Sequence, residues 1–252
     1  MSVARAPLWT AGALLALAAC DPPARPDADA GEVAADATPG ERDASALRCR
    51  PGAGVSSAPG SIAAVVALVN ALPHPVTLPC FLESLDRPLL LDAARGSISL
   101  QPGVGTRSPR LFLFVGPLIM SVVPEGRGSE LLELGEQLEG NLSIKAELSF
   151  PIVAALAPER PFEEVRLGGG TTCGVCHPAE ARAESIAYAE AYSSTAFRPR
   201  TGSRVSAAAL ADERERCDAT AEPTRCAFLR ALFDHGEVRA NPFPATFPTI
   251  TD

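Results

Sequence analysis

The chain has 252 residues, with 30 acidic against 22 basic side chains and a net charge of −8. That balance, with no clustered stripe of arginine or lysine, argues against nucleic acid as a partner and against electrostatic binding to anionic lipid. Seven cysteines make the redox compartment the first question about function.

Residues 1–19 read as an export signal. Arg5 gives a positive start and Leu8 to Ala19 is an uncharged apolar run, shorter than the about 20 residues a spanning helix needs. The run ends Leu17-Ala18-Ala19-Cys20, which resembles the lipobox of bacterial lipoprotein signal peptides. The resemblance implies that Cys20 becomes the acylated first residue of the mature chain. It implies a cell-envelope location, periplasmic or cell-surface, with the inner or outer membrane as partner through the lipid. A plain secretory signal is the alternative. Residues 20–47 then read as a tether, dense in Pro, Ala and Asp, without aromatics, and with one valine and one leucine. Such a segment cannot bury enough apolar surface to offset its ordering entropy, so disorder is expected. Seven acids against two arginines place five of the eight net negative charges here.

The folded body is expected from residue 48 as α+β: a β-rich part, a small antiparallel sheet or sandwich, over 48–166, then a helical part over 167–252 that carries the motif discussed below. Ser61–Leu72 predicts a buried helix with Ser61 as N-cap, stopped by Pro73. Short apolar runs follow as strand candidates: VTLPCFL, PLLLD, SISLQ, RLFLFV and PLIMSVV. Ser129–Glu139 reads as a short capped helix. NLSIKAELSF alternates, so Leu142, Ile144, Ala146, Leu148 and Phe150 should face a core, and Ser143, Lys145, Glu147 and Ser149 water. After residue 178 the chain turns alanine-rich. AEARAESIAYAEAY, VSAAALADERERC and EPTRCAFLRALFDHG each predict a helix, the last with Pro223 near its start and Gly236 after its end. An extended Pro/Phe tail closes the chain.

In an oxidising compartment free thiols should pair. The spacing favours Cys217–Cys226, across a turn between two predicted helices, and Cys49–Cys80, tying the start of the body to the β region. Cys173 and Cys176 are then left for each other or for a cofactor.

The stretch Cys173-Gly174-Val175-Cys176-His177 resembles the attachment site of c-type cytochromes. The likeness covers these five residues and the compartment. It implies one covalent haem c, with Cys173 and Cys176 as thioether positions and His177 as the proximal iron ligand. It also implies electron transfer or haem-based sensing, with a possible redox partner protein, and an electron carrier or binding protein rather than an enzyme. The chain departs from many single-haem cytochromes in having no methionine after His177. His235 or Met120 is the candidate distal ligand, or there is none. His235 equally suits the C-terminal end of a helix dipole. His74 reads as a loop residue. Phe197, Phe228, Phe233, Phe243 and Phe247 are pocket candidates whose ordinary role is core packing. Rival readings of the motif are a plain Cys173–Cys176 disulfide, a thiol–disulfide redox pair and a structural zinc site. A haem-free, disulfide-stabilised envelope lipoprotein with a binding or structural role is the alternative function. No phosphate-binding loop, H-E-x-x-H or G-x-S-x-G sequence is present.

Overall fold

The computed structural model describes residues 49–96 and 99–249. The expectations for the signal, for Cys20 and for the acidic tether fall outside these residues.

Helix α1, Ile62–Asn70, starts at Ser61, whose hydroxyl accepts a hydrogen bond from the Ala64 amide at 3.1 Å. A second amide of the first turn, Ile62 N, donates to Glu136 Oε2 at 2.8 Å, so two of the four orphan donors of the helix start are satisfied. Helix α2, Leu78–Ser84, is the first departure from expectation, because VTLPCFL reads as a strand candidate. Thr77 accepts from Cys80 N at 3.2 Å, and Pro79 sits in the first turn, where a missing N–H costs nothing. The cap and the proline outweigh the apolar run.

Strands β1 (Leu89–Ala94), β2 (Arg110–Val115), β3 (Leu118–Val122), β4 (Leu131–Gln137) and β5 (Leu142–Ser149) follow as an antiparallel meander. Three of these were expected from short apolar runs and one from its alternation. The fourth in order, β4, replaces the helix expected over Ser129–Glu139. Its central Gly135 weakens a helix, and its period-2 pattern buries Leu132 and Leu134 while the ladder pairs it on both edges. Of SISLQ, residues 97 and 98 fall outside the described residues, and Ser99 to Gln101 form no strand.

Helix α3 (Arg160–Glu164) and the hairpin of β6 (Arg166–Leu167) and β7 (Gly170–Thr171) lead into the CGVCH motif. The helix expected over residues 179–192 is instead β8 (Ala181–Arg182), a loop, and β9 (Tyr192–Thr195). Alanine favours a helix by only tenths of a kcal/mol per residue, roughly, over most side chains. Pairing of β9 with the open edge of β5 prevails over that preference. The other two helices form as expected: α4, Ala207–Glu215, capped by Ser206, and α5, Pro223–Phe233, with Pro223 at its first position. Strand β10, Val238–Ala240, precedes the extended tail.

Eight of these strands form one sheet in the order β10-β1-β2-β3-β4-β5-β9-β8, antiparallel except for β10 beside β1, and β6 pairs with β7 alone. Fold class is therefore α+β, as expected. The sheet draws β1–β5 from before residue 166 and β8–β10 from after it, so residues 167–252 share one sheet with the β-rich part. CGVCH lies in a 3-10 turn between short strands and not in a helical segment.

One face of the sheet carries Leu91, Leu111, Leu113, Leu118, Met120, Leu132, Ile144 and Leu148, all buried in a single core with α1, α2 and α5. The opposite face carries Asp92, Arg110, Phe112, Ser121, Glu133, Ser143 and Lys145, as the pairing register requires. The Cys49–Cys80 and Cys217–Cys226 bridges both form. No helix among the described residues is long and apolar enough to cross a membrane.

Candidate functional site

The glycines at either side of the motif's first cysteine have a local cause. Thr171, which ends β7, caps the 3-10 turn Thr172–Val175 by accepting from Gly174 N at 3.2 Å. Its own amide and hydroxyl donate to the Glu180 carboxylate at 3.2 and 2.5 Å. Glu180 thereby folds back under the turn. A Cβ at Gly174 would lie 2.6 Å from its carboxylate, and one at Gly170 would collide with it too. The two glycines leave room for the Glu180 carboxylate in this position. The Cys176 and His177 amides both donate to the Cys173 carbonyl, at 3.1 and 2.9 Å, which closes CGVCH into a tight loop.

Folded this way, the loop lies over the polar face of the sheet. Expected as a wet surface, that face is covered here: Ser143 is 1% and Lys145 7% exposed. The sole lysine of the chain thus sits under the motif, its Nζ donating to Ser143 Oγ at 2.7 Å and reaching the Thr195 carbonyl at 3.5 Å. Burial pulls its pKa down to about 8. The same Thr195 carbonyl lies 2.7 Å from His177 Nδ1. A carbonyl only accepts, so Nδ1 carries the proton and Nε2 keeps its lone pair. Burial, and next the charge of Lys145, push the imidazole pKa down to about 4, so it is neutral at ordinary pH. Cys173 and Cys176 are unbridged. Burial, reinforced by Glu133, pushes the Cys173 thiol up to about 12, so this sulfur is held as the neutral thiol.

Cys173, Cys176 and His177 line one cavity of about 390 Å³, a size in the range of about 300–1,000 Å³ usual for ligand and cofactor sites. Phe112 and Phe197 form apolar walls, and the His177 and Phe197 ring centres are 5.1 Å apart. Arg95, Arg198 and Arg200 supply positive charge at the same cavity. Arg110 is fixed at its floor by an ion pair with Glu133 and by donation to Ser121 Oγ at 3.0 Å. Arg198 is held by the Phe247 carbonyl at 2.7 Å and Arg95 by that of Gly202 at 3.2 Å. A wider cavity of about 570 Å³ adjoins this one through Arg95 and Arg200.

Of the remaining sequence candidates, Phe243 lines a smaller cavity with Cys173 and His177, and Met120, His235, Phe228 and Phe233 are placed elsewhere. Met120 is fully buried on the helix-facing side of β3, while its neighbours Ile119 and Ser121 face the motif. His235, just past α5, has Nε2 3.7 Å from Glu83 Oε2 of α2. Phe228 is buried in the core and Phe233 packs against it. Phe243 stacks edge-on with Phe112 at 5.1 Å and with Phe247 at 5.8 Å. Missed at the sequence level were Lys145, Thr195, Glu180 and the arginines. Of these only Lys145 carried a signal, as the single lysine on an alternating strand.

Among the described residues no three His, Cys, Asp or Glu side chains converge as a ligand set for a bare metal ion. A haem, which takes two thiols at its edge and one neutral imidazole at its centre, would be held here by Cys173, Cys176 and His177, with Phe112 and Phe197 beside the ring and Arg95, Arg198 and Arg200 within reach of its carboxylates. Comparison of the chain with protein families, with characterised proteins and with solved structures returns no match.

Proposed function

We propose that the chain is a lipid-anchored protein of the cell envelope that carries one covalent haem c on the polar face of its sheet, in electron transfer or haem-based sensing. The observation that carries the reading is the shared cavity: two unbridged thiols and a neutral imidazole reach it from one five-residue loop. When bound, the haem supplies a redox-active iron. The chain's own residues do the rest. Thr195 accepts the Nδ1 proton, which sets the tautomer, orients the ring and raises the basicity of Nε2. Phe112 and Phe197 would shield the ring from water, and Arg95, Arg198 and Arg200 would neutralise the carboxylates. The Leu17-Ala18-Ala19-Cys20 sequence supports the lipid anchor.

Haem staining on a denaturing gel, after co-expression with haem-attachment machinery, tests the proposal. A stained band is expected, lost on Cys173→Ser with Cys176→Ser; an unstained band of full mass sinks it. The alternative, a haem-free envelope protein with a binding or structural role, draws on the two disulfides and the apolar core, none of which involve the motif. It expects the unstained band and no Soret absorption.

A further inference from the structure

Between the motif and the sheet lies a smaller cavity of about 80 Å³, bordered by Gly135, Ser143, Lys145, Cys173 and His177. It has room for several water-sized groups, since one water needs about 10–15 Å³ by this measure. Gly135 helps to open it. It pairs with Lys145 across the ladder, and a Cβ there would meet Ser143 Oγ at 3.4 Å.

The charges around this cavity do not cancel. Arg110 is matched by Glu133, and Glu180 is turned to the Thr171 amide and hydroxyl. Lys145 has no such match. Its Nζ bonds to Ser143 Oγ at 2.7 Å and reaches the Thr195 carbonyl at 3.5 Å, both uncharged. Among the described residues no carboxylate lies within ion-pair distance of it. At neutral pH its amine is an ammonium, 7% exposed, and a buried charge without a counter-charge is costly. An ammonium carries three N–H donors, of which these two acceptors take two. Ser143, itself buried, accepts from Lys145 and keeps its own hydroxyl proton to donate. Two buried donors and one uncompensated positive charge thus border the same space. Gln137, which also lines it, has a buried Oε1 without a hydrogen-bond partner.

We infer that this inner cavity is a binding site for one small monovalent anion of halide size, held by Lys145 Nζ and Ser143 Oγ. The single excess charge selects a monovalent ion over sulfate or phosphate. The volume suits a halide with a water beside it, and that water satisfies Gln137 Oε1. The larger cavity shares Arg110, Phe112 and Phe197 with this one and adds Arg95, Arg198 and Arg200, which gives an anion an electropositive way in. The inference does not rest on the haem reading, because Lys145 and Ser143 are fixed by β5 and not by the motif's sulfurs.

The test uses the full chain without haem at neutral pH, with sodium bromide exchanged for sodium gluconate at constant ionic strength. The melting temperature should rise saturably with bromide, by about 3–6 °C. Lys145→Met should show no saturable rise, and Ser143→Ala should need about tenfold more bromide for half the effect. Crystals soaked in bromide should show an anomalous peak within hydrogen-bond reach of Lys145 Nζ, a readout that stands even where a variant fails to fold. Equal bromide dependence in the unsubstituted and Lys145→Met proteins overturns the inference. So does a peak found only among Arg95, Arg198 and Arg200, or a cavity that holds water alone. A peak at Lys145 with no melting shift in solution means binding at crystal concentration only, and overturns it too. Haem staining is untouched by any of these outcomes, so the two readings fail separately.

Discussion

Lys145 shows how much one residue's setting can depart from its place in a pattern. Its pKa is drawn from 10.5 to about 8 by burial, in the company of Cys173, Glu133, Arg110 and Glu180. The unfolded chain therefore binds more protons between pH 8 and about 10.5, and the native state gains stability as pH rises through that window. Below it the full cost of the buried ammonium applies, at most about 3 kcal/mol by the linkage relation. Lys145→Met should stabilise the haem-free protein at neutral pH by roughly 1–3 kcal/mol. Urea unfolding at pH 7 and at pH 10 checks this; the gain should shrink at the higher pH, and an equal gain at both would refute the account. Gly174 works in the opposite sense, through contact. Gly174→Ala puts a methyl against the Glu180 carboxylate and should cost about 1–3 kcal/mol by overpacking. It should also lower the yield of stained protein, while Gly169→Ala, with open space around it, should change neither.

At the scale of elements, caps and turn residues account for where the helices lie. Ser61, Thr77 and Ser206 each accept from an amide three residues on, and α2 formed where its cap overrode an apolar run that reads as a strand. Two expected helices became strands because an unpaired sheet edge or a gap between strands offered a full hydrogen-bond ladder, which no local propensity reveals. The helical hairpin of α4 and α5 is closed by Cys217–Cys226, nine residues apart. If the bridge acts by restricting the unfolded chain, removing it with Cys217→Ser and Cys226→Ser should cost about 2–3 kcal/mol. The paired change Cys173→Ser and Cys176→Ser should cost the haem-free protein less than that, about 1 kcal/mol or below, since those sulfurs are not bridged and only the Cys173 sulfur is buried. Denaturant midpoints of the two double variants separate a cofactor anchor from a third structural disulfide.

Across the whole molecule, the eight-stranded sheet divides two kinds of chemistry. Its helix side holds the apolar core; its other side holds the motif, the only lysine and the arginine-lined cavity. Much of this was legible from residue order alone: the Cys49–Cys80 and Cys217–Cys226 bridges, helices α1, α4 and α5, and the phase of alternation along β5. Apart from Cys49–Cys80, which spans 31 residues, these are local signals, carried by neighbours within a turn, a strand or one hairpin. The tertiary structure decided the rest. Alternation along β5 names two faces, but what surrounds each depends on segments far along the chain, here the CGVCH loop and the end of β9 at Thr195. Likewise, spacing along the chain could not say that Met120 and His235 lie across the sheet from His177. Long-range pairing sets which face a residue occupies, and that pairing, not the motif, determines which groups can meet at the cavity.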